Sequence, residues 1–537
     1  MGNDATRTPA NEKIALVNVP YGISGTSMRP LGLAYISAYL HSRGRDVDTY
    51  DFSDSLTAPD ELVRRFDLAH YRVVGLSFYN VNALLAFSMA QAIKEENPRC
   101  VVVAGGPHAT AADVSMLRRH PEIDVVVRNE GEVTFLELVN AILRGDRFTG
   151  IQGLSYRANL GEPDVICEPD RARIDNLDEL PAPIVTFRGD QPEVPLVFPE
   201  DPEPYLKRAG RTRDAVAMIT SRSCPYNCSF CAIIIIGRQW RAASAEKVAA
   251  DFAELDKAAG NRYQHVYFLD ANFFVNARRA VRIGEALQRT MPGVTFSFAT
   301  RANQVIKGKT HLERLRELGL RSIEIGIESA SPQALERYAK DVTPEQNEEA
   351  LEILRSLGIK LGLDFIMFDA ESTITDLRLN LEFFERNGLD TYVPWESIFT
   401  YMTPYLGTPI RTHYEQLLAR KFDEDILPDP ASLIIDPIVR QIFNESHKLC
   451  STVPMMQRAV ETLEQRCLEE PWSRETARMM LNAATLRRFY FCTLYNLVDA
   501  AETGRTIRLE DALPRLTRDD GALVNLREVI DYALQRD

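Results

Sequence analysis

Residues 221–241, SRSCPYNCSFCAIIIIGRQWR, hold three of the eight cysteines of the chain. Cys224, Cys228 and Cys231 follow an apolar run, AVAMITS, that predicts a buried strand. Sulfur ligands select zinc, copper(I) or iron–sulfur clusters. A structural zinc site takes four ligands. The chain offers no second cysteine pair nearby, and the nearest downstream histidine, His265, lies inside a predicted strand.

A [4Fe–4S] cluster held by three thiolates fits this spacing better, and it leaves one iron without a protein ligand. An open iron suits the binding of a chelating substrate more than simple electron transfer. Three coincidental core cysteines are the remaining alternative, but three so close together between a strand and a polar loop are unusual. The stretch therefore predicts an iron–sulfur cluster with an open coordination position.

The composition is that of an ordinary globular protein of 537 residues, a length that favours about three or four domains. The net charge of −14 argues against electrostatic binding to nucleic acid or to an anionic membrane. The polar N-terminus lacks a signal-peptide pattern, and no apolar run is long enough to span a membrane. The other five cysteines are scattered, which favours reduced thiols. These features predict a cytoplasmic protein.

Residues 1–150 predict a doubly wound α/β domain, because short apolar runs alternate with helical patterns. The predicted strands are KIALVNVP, DVDTYDF, VVGLSFY, CVVVAGG and DVVVRNEGE. Such sheets bind ligands at the carboxyl ends of their strands. Here these ends carry PYGISG, SFYNVN, AGGPHAT and RNEGE, small polar stretches that allow close approach of a large ligand. No G-x-G-x-x-G is present, so a dinucleotide cofactor is not indicated.

The remainder divides into three predicted segments. Residues 151–212 are rich in proline and acid and predict a linker with some strand content. Residues 213–410 contain about six further βα units, which predict a full or partial βα barrel with its chemistry at the strand C-termini. Residues 411–537 predict a helical C-terminal region, in which RRFYFCTLYNL is a core helix rather than a cofactor site.

The C-x₃-C-x₂-C spacing after the first barrel strand, with Phe230 before the last cysteine, resembles the radical S-adenosylmethionine superfamily. The resemblance implies that the open iron takes the amino and carboxylate groups of S-adenosylmethionine, whose reductive cleavage yields a 5′-deoxyadenosyl radical. It also implies that Phe230 lies against the adenine. It further implies cofactor contacts, at the barrel mouth or to ribose and methionine, by Asp270, Asn272, Arg301, Glu328 and Ser329.

Two alternatives and one departure accompany this resemblance. Arg301 could be a surface arginine, and Glu328 could cap the next helix together with Ser329 and Ser331. The segment MFDAEST, residues 367–373, departs from the Gly-Pro-Gly-Glu-Thr-like turn common in related proteins, which puts cofactor contacts there in doubt.

A doubly wound domain ahead of such a barrel resembles the cobalamin-binding subgroup known as class B methyltransferases. PLGLAYISAYL, AGGPHAT, GRQWR and YLGTPI match recurrent features of that subgroup, over about residues 13–410. The Asp-x-His-x-x-Gly signature of other cobalamin proteins is absent, and Asn129 stands where relatives more often have glycine. The resemblance implies cobalamin contacts by Tyr21, Gly22, Ser77, Tyr79, Asn80, Gly105, Gly106, His108, Glu130 and Gly131. A sheet without a cofactor is the alternative.

The predicted function is methylation of an unactivated carbon of a small molecule or peptide, through methylcobalamin and the 5′-deoxyadenosyl radical. Radical oxidation, cyclisation or ring contraction without methyl transfer uses the same motifs and stays open. A non-catalytic corrinoid or iron–sulfur binding protein is disfavoured, because all three cysteines and the barrel motifs are intact. The predicted cofactors are a [4Fe–4S] cluster, S-adenosylmethionine and cobalamin, and an electron donor such as flavodoxin or ferredoxin is expected, with no nucleic acid and no membrane partner.

Substrate and catalytic residues are not assigned by these patterns. Candidates at the barrel mouth are Trp240, Tyr392, Trp395, Glu396 and Tyr401, and packing under the helical tail explains each of them equally well.

Overall fold

The computed structural model describes most of the chain. It covers residues 13–21, 30–158, 164–189, 215–237, 239–390, 396–453 and 473–514, with short pieces at 194–195, 456, 460, 516–517 and 523–524. Gly22, Tyr392 and Trp395 lie outside the described residues, as does the side chain of Glu396.

The first sheet has five parallel strands at its centre, in the order β5-β4-β3-β1-β2. The strands are β1 (Ile14–Asn18), β2 (Asp48–Asp51), β3 (Val73–Ser77), β4 (Val101–Gly105) and β5 (Val125–Val127), and the helices are α1 (Leu31–Ser42), α2 (Pro59–Arg65), α3 (Ala83–Glu96), α4 (Pro107–Arg119) and α5 (Gly131–Arg144). Runs such as VVGLS and VVVAG are continuous because helices cover both faces of the sheet. All five predicted strands are confirmed. Strand order reverses between β1 and β3, which opens a crevice at their carboxyl ends.

The segment predicted as a linker contributes strands to both edges of this sheet. The strands β6 (Leu154–Arg157) and β7 (Val165–Cys167) add antiparallel to β5, while β8 (Thr186–Arg188) and β9 (Val194–Pro195) extend the sheet beyond β2. The result is a nine-stranded sheet. Short edge strands joined without helices lack the βα spacing by which the other strands were recognised.

The second sheet is parallel and open, with its strands in chain order. Its strands are β10 (Ala215–Met218), β13 (His265–Phe268), β14 (Thr295–Arg301), β15 (Leu320–Glu328) and β16 (Lys360–Phe365), and the hairpin β11 (Ser221–Arg222) and β12 (Arg241–Ala242) lies between the first two. The helices are α6 (Ile233–Ile236), α7 (Ala245–Ala258), α8 (Ala277–Thr290), α9 (Ala302–Lys307), α10 (Lys309–Glu317), α11 (Pro332–Arg337), α12 (Pro344–Ser356) and α13 (Ile374–Arg386). The partial barrel is therefore confirmed.

The prediction of a sixth barrel strand at LDTYVPWESIF is wrong for the last residues of this segment. Its central residues, 391–395, lie outside the described residues, and Glu396–Phe399 forms a short helix, α14. A single isolated parallel bridge joins Phe368, just after β16, to Tyr401. An apolar run this short does not distinguish a strand from a buried helical turn.

The described part of the C-terminal region is mostly helical, as expected. It contains α15 (Pro409–Leu417), α16 (Pro430–Leu433), α17 (Pro437–His447), α18 (Arg474–Glu502) and α19 (Leu509–Ala512), with a two-residue hairpin of β17 (Leu516–Thr517) and β18 (Leu523–Val524). RRFYFCTLYNL lies in α18, and its Tyr490 and Leu494 are fully buried, which confirms a core helix. None of the described helices is long and apolar enough to cross a membrane.

Candidate active site between the two sheets

The three cysteines lie in one loop, residues 223–240, which we call the cluster loop. The hairpin of β11 and β12 closes its base. Cys228 is buried, and Cys224 and Cys231 are half-buried. The centre of the loop is held from outside, since Ser229 N donates to Tyr338 O at 2.9 Å and Ile410 N donates to Ser229 O at 3.0 Å.

The donor set fits a cluster. Across the part of the chain that the structure describes, no three His, Cys, Asp or Glu side chains are arranged to hold a single metal ion. An iron–sulfur cluster takes each thiolate on a different iron, and this loop presents three free thiols. Burial raises the pKa of the Cys224 thiol and raises that of Cys231 to about 11. Metal binding must therefore displace protons from these thiols.

Arg301 lies against the cluster loop and is not a surface residue. The residue is 5% exposed, and its Nη1 donates to Cys228 Sγ at 2.7 Å. The guanidinium group lies 4.1 Å from the centroid of the Tyr226 ring and donates through Nη2 to the carbonyl of Lys340. Its Nε has no hydrogen-bond partner. A buried, unpartnered donor beside a cluster cysteine is what an anionic ligand of the cluster would use.

Glu328 and Lys340 form a buried ion pair beside this arginine. Lys340 Nζ lies 2.6 Å from Glu328 Oε1, and the two side chains are 4% and 9% exposed. Glu328 has a left-handed φ of 63°, and the neighbours of Lys340, Ala339 and Asp341, have φ of 50° and 52°. Non-glycine residues in this region store strain that clusters at functional sites. A Cβ on Gly326 would lie 2.6 Å from the Glu328 carboxylate, so only glycine leaves room for the pair.

The carboxyl ends of β1, β3 and β4 form the edge at which the sequence resemblance implies cobalamin, and we call it the cobalamin edge. Gly106 has a φ of 100°, and a Cβ there would lie 2.7 Å from the carbonyl of Phe78. Tyr79 is 47% exposed and stacks on Tyr21 with ring centroids 6.4 Å apart. His108 is buried, and neither of its ring nitrogens has a hydrogen-bond partner. A bare glycine backbone, aromatic rings and unpartnered donors suit a large planar ligand.

The C-terminal region reaches this edge through Asp425. Its carboxylate accepts a hydrogen bond from His120 at 3.0 Å and lies 2.9 Å from Arg119, both at the end of α4. His108 Nε2, at the start of α4, is 3.5 Å away without hydrogen-bond geometry. Burial of His120 opposes its protonation, but the hydrogen bonds to Asp425 and Glu122 outweigh this and raise its pKa to about 9. Burial opposes ionisation of Asp425, but the nearby imidazoles of His108 and His120 and the charge of Arg119 outweigh it and lower the pKa of this carboxyl.

Comparisons with known proteins identify both units. Residues 22–139 match the profile of the B12 binding domain, and residues 218–383 match the radical SAM superfamily. An uncharacterised methyltransferase of Pyrococcus horikoshii is 31% identical over 391 residues, 72% of this chain and 78% of the relative. The chain belongs to the cobalamin-binding radical S-adenosylmethionine enzymes. The cofactors are a [4Fe–4S] cluster, S-adenosylmethionine and cobalamin.

Two further similarities bear on this radical enzyme. The anaerobic magnesium-protoporphyrin IX monomethyl ester cyclase of Rubrivivax gelatinosus is 28% identical over 63% of this chain, which spans 58% of that relative. The solved structure of the cobalamin-dependent S-adenosylmethionine radical enzyme OxsB, with aqua-cobalamin and S-adenosylmethionine bound, matches with a TM-score of 0.70 at 22% identity. It covers 91% of this chain and 72% of that chain, and it shows the shared fold.

Asp270 and Asn272 have different surroundings in this radical enzyme. Asp270 is 2% exposed, and its carboxylate accepts hydrogen bonds from Thr220 and Ser221, so it fixes the strand that enters the cluster loop. Asn272 is fully buried, and its Oδ1 accepts from Thr300 Oγ1 at 2.9 Å while Nδ2 has no partner. A cofactor contact therefore remains a better prediction for Asn272 than for Asp270.

Ser329 and Phe230 both contact other side chains of the protein. Ser329 is 1% exposed and donates to Asn380 Oδ1 at 3.0 Å. Ser331 caps the N-terminus of α11, and Glu328 does not cap this helix, contrary to the alternative raised from the sequence. Phe230 meets Tyr338 edge-on with ring centroids 5.8 Å apart, beside the last cysteine. Their cofactor contacts stay predictions.

Glu130 contacts the second domain, whereas Gly131 is used in packing within the first domain. Glu130 accepts two hydrogen bonds from Arg241 of β12. A Cβ on Gly131 would lie 2.7 Å from Ile36 Cδ1, so this glycine serves the packing of α5 on α1. Neither contact favours the predicted role at cobalamin. Asn129 has a left-handed φ of 63°, a region that asparagine tolerates, so it can stand at a position where the resemblance implies glycine.

Residues 367–373, which depart from the turn expected by resemblance, are held by their own hydrogen bonds. Asp369 is 3% exposed and accepts hydrogen bonds from Arg337 Nη2 and Tyr338 OH, each at 2.7 Å. Tyr338 in turn accepts the backbone hydrogen bond of Ser229 in the cluster loop. The turn therefore supports the cluster loop through Tyr338, the residue that follows α11.

Lys340, Tyr226 and an acidic pair on the barrel strands were not predicted from the sequence. Glu324 accepts a hydrogen bond from Tyr267, and Asp364 lies beside it on the neighbouring strand. Although the Asp364 side chain is accessible to solvent, desolvation by the protein around it, followed by the charge of Glu324, raises its pKa well above its ordinary value. Alternate polar positions on β15 and β16 were the available signal. Of the proposed substrate residues, Trp240 has a buried Nε1 without a partner, and Tyr401 is 41% exposed.

Proposed function

We propose that this enzyme transfers a methyl group to an unactivated carbon of a small molecule or peptide. The observation that carries the proposal is the contact between the two cofactor-binding units. Gly407 lies between the two units. A Cβ on this glycine would lie 3.2 Å from Ile235 of α6, in the cluster loop, and 3.4 Å from Ala111 of α4, the helix that begins at the cobalamin edge. The methyltransferase of Pyrococcus horikoshii, similar over 72% of the chain, supports the same reading.

The proposed roles of the side chains follow from their positions. When bound, the cofactors supply a methyl carrier and a hydrogen-abstracting radical. Cys224, Cys228 and Cys231 hold the cluster, and Arg301 orients one of these sulfurs while its Nε is free for the carboxylate of S-adenosylmethionine. Further S-adenosylmethionine contacts are proposed for Phe230, Asn272 and Glu328. Proposed cobalamin contacts are Tyr21, Ser77, Tyr79, Asn80, Gly105, Gly106 and His108.

Water exclusion is a further requirement, since a primary-carbon radical is quenched by side reactions. The isoleucines of α6 are half-buried, and Gly407 of the C-terminal side packs on Ile235. We also propose an external one-electron donor such as flavodoxin or ferredoxin to reduce the cluster.

Cyclisation or oxidation without methyl transfer is the second candidate. The similarity to the ester cyclase of Rubrivivax gelatinosus favours it, because that relative is similar over 63% of the chain.

The test is anaerobic reconstitution with iron, sulfide and cobalamin, followed by S-adenosylmethionine and a reductant. Methyl transfer predicts S-adenosylhomocysteine and a methyl group on the extracted cobalamin, both measured by mass spectrometry. Deoxyadenosine with cobalamin that never gains a methyl group would favour the second candidate. Cys228→Ala should lose the cluster absorbance, while Cys100→Ala, a buried cysteine of the first domain, should keep it. Absence of corrinoid binding would contradict both candidates.

A further inference from the structure

The base of the cluster loop carries two arginines that face each other. In the hairpin, Arg222 of β11 pairs directly with Arg241 of β12, and the three cysteines lie between them in the chain. Like charges opposite each other on neighbouring strands are destabilising. Closure of this loop therefore requires anions from elsewhere.

The anions come from the cobalamin-binding domain, at the start of α5. Arg241 donates to both carboxylate oxygens of Glu130, at 2.7 and 3.2 Å. Arg222 lies 2.5 Å from Glu132 and 3.6 Å from Glu130. We call these four residues the loop clamp. A bidentate arginine–carboxylate pair fixes orientation as well as distance.

The loop clamp is shielded from solvent. The side chains of Arg241 and Glu132 are 5% and 4% exposed, and those of Glu130 and Arg222 are 16% and 15% exposed. Burial alone would raise the pKa of Glu130, but its hydrogen bond with Arg241 and the charge of Arg222 lower it. Glu130 is therefore ionised, and little water is available to replace it as a partner.

The clamp is attached firmly to the first domain. Glu130 Oε2 also accepts a hydrogen bond from Ile174 N at 3.0 Å, while Arg241 Nη1 donates to Ile174 O at 2.6 Å. On the other side, Tyr35 of α1 donates from its hydroxyl to Ile219 O at 2.9 Å, just before β11. Both ends of the cluster loop are thus held by the domain that carries the cobalamin edge.

We propose that the loop clamp sets the position of the cluster relative to cobalamin. Glu130 and Arg241 are then positioning residues for methyl transfer from S-adenosylmethionine to cobalamin. The inference rests on the proposed function. In this proposal neither residue touches a cofactor, and both act by fixing the geometry of the loop base. A misplacement of only 1 Å at reacting atoms slows a reaction by about 10²-fold.

The test compares Glu130→Gln with Glu137→Gln in reconstituted enzyme. Glu137 lies on the same helix and pairs with Arg171, but its side chain is 45% exposed and it does not touch the cluster loop. Two quantities are measured: the relaxation enhancement of the cob(II)alamin paramagnetic signal by the reduced cluster, and the rate of S-adenosylhomocysteine formation when reduced cobalamin accepts the sulfonium methyl group. Iron and cobalamin contents are determined in each sample.

For Glu130→Gln we expect nearly unchanged iron and cobalamin contents, weaker relaxation enhancement and a rate lowered by about 10- to 100-fold, with Glu137→Gln equal to wild type. Equal enhancement and equal rate in both variants would overturn the proposal. If Glu130→Gln does not fold, Arg241→Lys gives the same readouts, because lysine keeps the charge but not the bidentate geometry. A wild-type enzyme that holds both cofactors but forms no S-adenosylhomocysteine would count against the proposed function, while relaxation still tests the clamp.

Discussion

Replacing Lys340 by methionine tests whether the buried pair with Glu328 organises the barrel mouth. The substitution keeps a long side chain but leaves the Glu328 carboxylate, 9% exposed, without its partner at 2.6 Å. Removing one member of a buried ion pair costs about 3–5 kcal/mol, because an uncompensated charge remains. For a unit of 150–250 residues, each kcal/mol lowers Tm by about 2–4 °C. The expected decrease is therefore about 6–20 °C if the barrel unfolds as one unit.

Lys421→Met is the matched control. Lys421 Nζ also lies 2.6 Å from a carboxylate, that of Glu415, but the lysine is 85% exposed. Exposed pairs contribute about 0–1 kcal/mol, so Tm should change by at most about 4 °C. Thermal unfolding of both variants is followed by circular dichroism. Adding Glu328→Gln to Lys340→Met should restore part of the loss, because the amide is neutral. Equal shifts for the two lysine variants, or no restoration by the second substitution, would refute the reasoning.

Three further predictions concern other parts of the site. The folded pKa of His120, about 9, exceeds its ordinary value of about 6.5, so its ion pair with Asp425 stabilises the fold fully below about pH 6.5 and is lost as the pH rises through about 9. The Tm of the wild type should therefore fall more than that of His120→Gln over this pH range. Parallel curves of Tm against pH would contradict the assignment. Gly106→Ala should lower cobalamin retention in gel filtration, because its Cβ meets a backbone carbonyl, whereas Gly44→Ala, also at positive φ but with nothing within 4 Å, should not. Arg301→Met should lower the cluster reduction potential measured by redox titration, because it removes a cation and a donor from a ligating sulfur; an unchanged potential would show that the contact has no electronic effect.

Local patterns in the sequence were sufficient for the architecture and for the cluster ligands. The strands of the first sheet read as continuous apolar runs because they are buried on both faces, and helical spacing between them determines parallel pairing. The spacing of Cys224, Cys228 and Cys231 is itself local, so one loop places all three. By contrast, the edge strands β6 to β9 and the helix at Glu396–Phe399 lack a distinctive period, and these were predicted incompletely or wrongly.

Only the tertiary structure decided the partners of the buried charges. Arg301 meets a sulfur 73 positions earlier in the chain, and Arg241 meets Glu130 at a separation of 111. Such pairs form because folding removes these groups from water and leaves each charge dependent on a specific opposite charge. The amino-acid order determined which groups the chain carries and on which strand ends they lie. Their pairing across the two sheets, including the ion pair of Lys340 and the loop clamp, is a consequence of burial in three dimensions.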